Sequence, residues 1–246
     1  MAPKDIDGLA HYFWQNVELE AETLGLGSVS LYDALNGKTI EDPINGLISK
    51  LNQEELELVD KEDEDASKAT GVFFGNLVNC SLKDIEPGVY APNQDVLHPD
   101  TYASYDREYT SDKDAYEAGE VDTLTWYTTY EVEGLGANYT ANLHGFIRYV
   151  DYIDDESTPY GPIVISRGVL DQPAFFSESD ERGLFQDYQM EVYFERSPGE
   201  TVHFYTLWRE MVYAGSADFS SETVQKFVLD GMLDWDEDTE ERCADL

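Results

Sequence analysis

Two stretches of strict alternation constrain this chain more than any other feature. In TLTWYTTYEVE (123–133), Leu124, Trp126, Tyr130 and Val132 alternate with polar neighbours. In NYTANLHGFIRYV (138–150), Tyr139, Ala141, Leu143, Ile147 and Tyr149 do the same. A period of two is the pattern of a strand with one buried face. GLGA between them reads as a turn, so the pair predicts an antiparallel hairpin. Three more strands follow. GPIVISRGVL is apolar on both faces. FQDYQMEVYFER sets Tyr188, Met190, Val192 and Phe194 on one face, and TVHFYTLWREMVYAG is the longest. The SPGE between the last two contains a conflict. Pro198-Gly199 as the centre of a type II turn pairs even positions with odd ones. Matching apolar faces instead sets Val192 opposite Phe204 and asks for a three-residue loop. The apolar match is favoured, because one face of a sheet must be buried.

Before residue 121 the period is helical. Ile6, Leu9, Phe13 and Val17 share a face behind an N-cap at Asp5 or Asp7. In the same helix Tyr12 and Trp14 fall off the stripe and read as core. GSVSLYDALNGK predicts a short helix capped by Ser28 or Ser30 and stopped at Gly37. In DPINGLISKLN, Asp42 caps, Pro43 suits the first helical position, and Ile44, Leu47, Ile48 and Leu51 form a stripe. QEELELVDKEDEDASK begins as helix and runs into a charge block at 60–65 that reads as a solvated loop. GVFFGNLVNCSL (71–82) fits helix or strand; Phe74, Leu77 and Val78 on one face favour helix. Glu86-Pro87-Gly88 reads as a turn. Residues 98–120 are polar and Tyr-rich, a surface excursion with a helix near DKDAYEAGE. At the other end Ser220 or Ser221 caps a helix whose face is Val224, Phe227, Val228, Gly231 and Trp235.

The 52 Asp and Glu stand against 15 Lys and Arg, a net charge of −37. That is a composition seen in disordered chains, but the aromatic content of 13% argues for a real core under an anionic shell. High-salt solubility, a setting rich in divalent cations, and a decoy of a phosphate array each fit such a shell. Binding to nucleic acid is excluded, since phosphate contacts need clustered Lys and Arg. No apolar run reaches the roughly 20 residues of a membrane-spanning helix. MAPKDIDGL has no signal-peptide core; the expectation is cytoplasmic, or extracytoplasmic if the chain begins after a removed signal. The sequons at Asn79 and Asn138 carry meaning only in a chain secreted by a eukaryote. Cys80 and Cys243 are read either as two thiols or as a disulfide closing a very long loop.

Helices first, an antiparallel meander of about five strands (121–214) and a long C-terminal helix make an α+β arrangement. One domain, 1–246, is expected, with a mainly helical part at 1–82 and sheet plus terminal helix at 121–236. In element order residues 121–236 resemble the helix-grip proteins of the START and plant-allergen type, which hold apolar ligands between sheet and helix. A calycin-like β-barrel with flanking helices is the alternative fold.

Catalytic signatures are lacking: no G-x-S-x-G, no catalytic-Cys context, no phosphate-binding glycine loop. No Cys/His spacing suits zinc. Asp234, Asp236 and Asp238 begin like a calcium loop, but Thr239 stands where glycine is needed and Asp245 where a bidentate Glu belongs. DYIDDES (151–157) reads as a polar turn. No metal or cofactor is expected. The leading function is therefore a non-enzymatic binding or interaction protein, its partner an apolar small molecule or a protein. Trp126, Tyr130, Phe204, Trp208 and Phe227 are its candidate ligand-binding residues. His144, Arg148, His203 and Arg209 are candidates for a polar pocket, against the reading that each Arg pairs with a carboxylate such as Glu131 or Glu191. A carboxylate-based hydrolytic enzyme and an acidic decoy are the alternatives.

Overall fold

The computed structural model describes residues 1–35, 42–133, 138–151, 161–177, 181–213 and 222–246; in the last of these the side chains of 222–225 and 227–229 are not described. The expected GLGA turn, the DYIDDES turn after Asp151 and the caps at Ser220 or Ser221 lie outside these residues.

In chain order the helices are α1 (Ile6–Asn16), α2 (Ala21–Ala34), α3 (Gln53–Glu57), α4 (Leu82–Val89), α5 (Gln94–Leu97), α6 (Lys113–Glu117) and α7 (Glu222–Ala244). The strands are β1 (Ile44–Ile48), β2 (Thr70–Val78), β3 (Ser104–Tyr109), β4 (Thr123–Val132) and β5 (Tyr139–Val150). They continue with β6 (Ile163–Leu170), β7 (Ala174–Phe175), β8 (Gly183–Ser197) and β9 (Glu200–Val212). All belong to one antiparallel sheet of order β1-β2-β9-β8-β6-β5-β4-β3, with β7 on β8. The ends of that order, β1 and β3, do not pair, so the sheet is open and the barrel alternative is overturned. Among the described residues six strands lie within 121–214, where about five were expected, and β1, β2 and β3 precede them. Among the described residues no helix is long and apolar enough to cross a membrane.

Five local expectations are corrected. DPINGLISKLN forms β1, not a helix, and GVFFGNLVNCSL forms β2. Each fits helical spacing over a few residues, but β2 pairs β9 from Thr70↔Arg209 to Val78↔Thr201, and that ladder decides. Glu86-Pro87-Gly88 is the last turn of α4 and not a loop. Within the supposed excursion at 98–120, β3 pairs β4. Ser28 and Ser30 do not cap a short helix but lie inside α2, which starts at Ala21 behind Glu20; the expected stop at Gly37 lies outside the described residues. Asp5 does cap α1, accepting from Gly8 N at 2.8 Å, and α6 sits in DKDAYEAGE.

The β8–β9 hairpin satisfies both sides of its conflict. Ser197 pairs with Glu200 across Pro198-Gly199, and Gly199 takes φ +82°, the left-handed value a type II turn needs at that place. Beyond the turn Val192 pairs with Phe204. An irregularity between Glu195 and Ser197 absorbs the odd residue, as a β-bulge does.

The sheet is covered on both sides. On the outer face Leu9, Phe13 and Trp14 of α1 and Leu24 and Leu31 of α2 pack on Tyr188, Met190, Val192, Phe204 and Trp208. The inner face carries α7 and α4. There Val78, Leu124, Ile147, Val164 and Tyr193 pack with Leu82 and Ile85. Strands β8 and β9 are apolar on both faces because both faces are buried.

Candidate functional site

Between the inner face and α7 lies a cavity of about 590 Å³. Strand alternation builds its wall. On β4, Trp126 and Tyr130 point inward; on β9, Tyr205, Leu207 and Arg209 do; on β3, Tyr105 and Arg107 do. Gly231, Met232, Asp234 and Trp235 of α7 close it. A row of rings crosses it. Tyr102 stands 5.0 Å from Tyr105 and 5.4 Å from Tyr130, and Tyr130 stands 6.2 Å from Tyr139, as ring centroids.

Three arginines border this cavity, and their partners differ. Arg167 lies over the Trp14 and Phe146 rings and meets Glu18 at 3.5 Å. Arg209 makes a two-pronged ion pair with Asp187 at 2.8 and 2.9 Å. Asp187 is fully buried and also accepts from Gln189 at 2.6 Å. Both its oxygens are engaged, so it is not available as a base. Burial opposes the Arg209 charge, but the Asp187 carboxylate holds its pKa above the ordinary value. Among the described residues Arg107 bonds only neutral groups: the Val89 carbonyl at 2.8 Å, Thr128 Oγ1 at 3.4 Å and the Tyr105 hydroxyl. Its guanidinium lies over the Trp126 ring at 4.2 Å.

The acidic end of α7 is fastened side chain by side chain. Asp236 accepts from Asn76 at 2.8 Å and meets His203 Nδ1 at 2.7 Å. His203 is fully buried and stacks on Tyr193 at 4.4 Å. Asp238 meets His98 Nδ1 at 3.0 Å, while the His98 ring stacks on Trp235 at 3.4 Å. Glu240 accepts from the Asn79 backbone N–H at 2.6 Å and its side-chain amide at 2.9 Å. A Cys80–Cys243 disulfide ends the row, with Cα atoms 5.8 Å apart. Carboxylates at a helix C-terminus oppose the helix dipole. These partners offset that cost and explain why helix continues to Ala244.

Of the residues singled out from sequence, Trp126, Tyr130, His144 and Arg209 border the cavity. His203 shares their face but serves Asp236. Phe204 and Trp208 do not reach the cavity: they belong to the outer layer, where Trp208 stacks edge-on to Trp14 at 5.4 Å and donates to the Ser49 carbonyl. Alternation told which residues share a face of β9, but not which face α7 covers. The Phe227 side chain lies outside the described residues. Arg148 also faces outward, held by Asp122 at 2.8 Å and the Val17 and Leu19 carbonyls. His144 is bonded to Asp171 at 2.6 Å. Cation–carboxylate pairing therefore describes both Arg148 and Arg209, with Asp122 and Asp187 in place of Glu131 and Glu191. Tyr102, Tyr105 and Arg107 were missed. Their signal is present in SYDREY, where Tyr105, Arg107 and Tyr109 alternate with Asp106 and Glu108.

No family model matches this chain, and no curated protein does. Solved structures do resemble it. The lipid transfer and protein localization domain of human StarD13 superposes with a TM-score of 0.50 at 6% identity, over 81% of this chain and 85% of that one. Human StAR-related lipid transfer protein 5 gives 0.45 at 8%, over 92% and 97%. A START superfamily protein from Mycobacterium smegmatis gives 0.45 at 14%, over 71% and 97%. At such identity the likeness is one of fold, and the fold is the START-like helix-grip arrangement that the element order resembles.

Proposed function

We propose that this protein binds an apolar small molecule in the cavity between its sheet and α7, without performing chemistry on it. The observation that carries this reading is the open space of about 590 Å³ walled by Trp126, Tyr130 and the row of tyrosine rings. Volumes of that order suit small-molecule sites, which are mostly apolar with a few placed polar groups. The engaged oxygens of Asp187 support binding over catalysis. The StarD13 domain is named for lipid transfer, so lipids are the first ligand class to try, on a likeness of fold.

Gly231 supplies the test. It borders the cavity in the middle of α7, and a Cβ added there meets no atom within 4 Å. Gly231→Ala is expected to stabilise the protein by about 0.5–1 kcal/mol, the helix-propensity difference, and to leave binding intact. Gly231→Trp is expected to fold as well and to abolish uptake of apolar ligands by filling the space. Thermal melts and equilibrium dialysis with a labelled lipid read the two effects. Unimpaired uptake by a folded Gly231→Trp protein would overturn the reading.

A further inference from the structure

The cavity contains more hydrogen-bond donors than its own residues use. Tyr205 is only 5% exposed and faces the cavity, yet its hydroxyl has no hydrogen-bond partner among the described residues. Tyr102, also on the wall, has ring contacts but no hydroxyl partner among the described residues. Its hydroxyl lies within electrostatic reach of Tyr205, Glu191 and Arg107. Burial pushes both phenols up, so they remain protonated donors at neutral pH. Neither hydroxyl is sealed off: both open into the cavity, and a hydroxyl facing a largely apolar space is completed by whatever occupies that space. A phenol is the better donor than acceptor, and Arg107 beside it donates only. The missing group is therefore an acceptor.

Its charge follows from the rim. Asp100, Glu133, Asp230 and Asp234 border the cavity and are exposed, and Glu191 stands inside, where it already accepts from Tyr193 at 2.7 Å. An anionic ligand has to pass four like charges within roughly a Debye length and then sit beside a fifth. Arg107 and Arg167 offset two of these five, while Arg209 is already paired with Asp187. A cationic group finds the rim attractive but leaves the two phenols unsatisfied. An uncharged acceptor meets neither objection.

We propose that the ligand of this cavity is an uncharged apolar molecule bearing an oxygen acceptor, such as a ketone or ester carbonyl, seated on the Tyr205 and Tyr102 hydroxyls beside Arg107. This rests on the cavity being the binding site, as argued above.

The test uses three naphthalene probes of one skeleton on the oxidised full chain. They are 6-propionyl-2-(dimethylamino)naphthalene, its 6-propyl analogue without the carbonyl, and its 6-carboxylate. Dissociation constants come from probe fluorescence. The ketone is expected to bind about five- to tenfold more tightly than the propyl compound, the gain of one well-placed hydrogen bond. That advantage should vanish in Tyr205→Phe with Tyr102→Phe, which keep the rings and the packing. Equal binding of ketone and propyl compound, or an advantage that survives the double variant, overturns the acceptor seat and leaves the cavity reading standing. Tighter binding of the carboxylate overturns the uncharged class. Failure of all three to bind, or binding that Gly231→Trp does not diminish, overturns the cavity reading itself.

Discussion

Replacing Cys80 and Cys243 together by serine is expected to lower the stability of the folded chain by about 5 kcal/mol. The bridge spans a sequence separation of 163 residues. Holding so distant a pair together removes conformational freedom from the unfolded chain, and the loop-closure relation puts that near 5 kcal/mol. Domains of this kind are stable by about 5–15 kcal/mol in total, so the loss is a large share. The acidic end of α7 adds to it. Without the tether, Glu240 and its neighbours remain at a helix end whose dipole disfavours them. Urea titrations of the oxidised chain and the double serine variant measure the difference. A midpoint unchanged by removal of the bridge would sink the account. The cavity is bordered by Asp230, Gly231, Met232, Asp234 and Trp235, roughly two to four turns before the tether, so the variant is also expected to bind the apolar probe more weakly.

The second large effect is at Asp236. It is 3% exposed, and its oxygens serve His203 and Asn76. Asp236→Ala removes the partner of a buried imidazole and the acceptor of a side-chain amide. Breaking a buried pair on one side costs about 3–5 kcal/mol, because the remaining group is stranded. The effect depends on pH, and the sign can be worked out. Burial on its own pushes His203 down; the charge and hydrogen bond of Asp236 outweigh it and hold the imidazole above its ordinary 6.5. The folded state then binds a proton that the unfolded state releases. The pair's contribution is fully present below about 6.5 and fades as pH rises through the raised folded value. His98 behaves oppositely. Burial, with Arg242 nearby, lowers it to about 3, so it is neutral and donates its Nδ1–H to Asp238. Its contribution is present at neutral pH and is lost as pH falls below 6.5 towards 3. Urea midpoints of the parent and Asp236→Asn, taken at pH 6 and pH 9, separate the two. The gap between the proteins should be wider at pH 6. A gap that grows towards pH 9 contradicts the assignment.

The two expectations differ in how far the sequence could have led to them. Both cysteines are conspicuous, but their pairing depends on α7 running alongside β2 in the same direction, and that is a tertiary fact. The strand–turn–strand logic of β4, β5, β8 and β9 was legible because each has a face that repeats every second residue. β1 was not: Ile44, Leu47 and Ile48 fit a helical stripe, while in the strand Leu47 is 56% exposed. Five residues cannot separate the two periods, and the pairing with β2 decides. In β2 the alternation is blurred because both faces are partly covered. At the site, Trp126 and Tyr130 followed from alternation. Phe204 and Trp208 were assigned to the wrong side for want of a second layer: the reading had one helix to cover the sheet, and the chain uses α1 and α2 as well. Arg107 was hidden by the acidity around it, since a polar Tyr-rich stretch reads as surface until its alternation is traced.

The open sheet has a consequence for how copies of this protein meet. An edge strand offers unpaired backbone groups to any other strand, and that is the usual start of sheet-to-sheet association. Here the order ends at β1 and β3. β1 is five residues long, which limits what can add to it. β3 is longer, but it points exposed Asp106 and Glu108 outward. A second chain approaching that strand brings the same carboxylates and the same formal charge of −37. Repulsion between equal charges grows as the edges close, while the backbone attraction acts only at contact. Acidity thus gives an open sheet the protection against its own kind that a barrel obtains by closing.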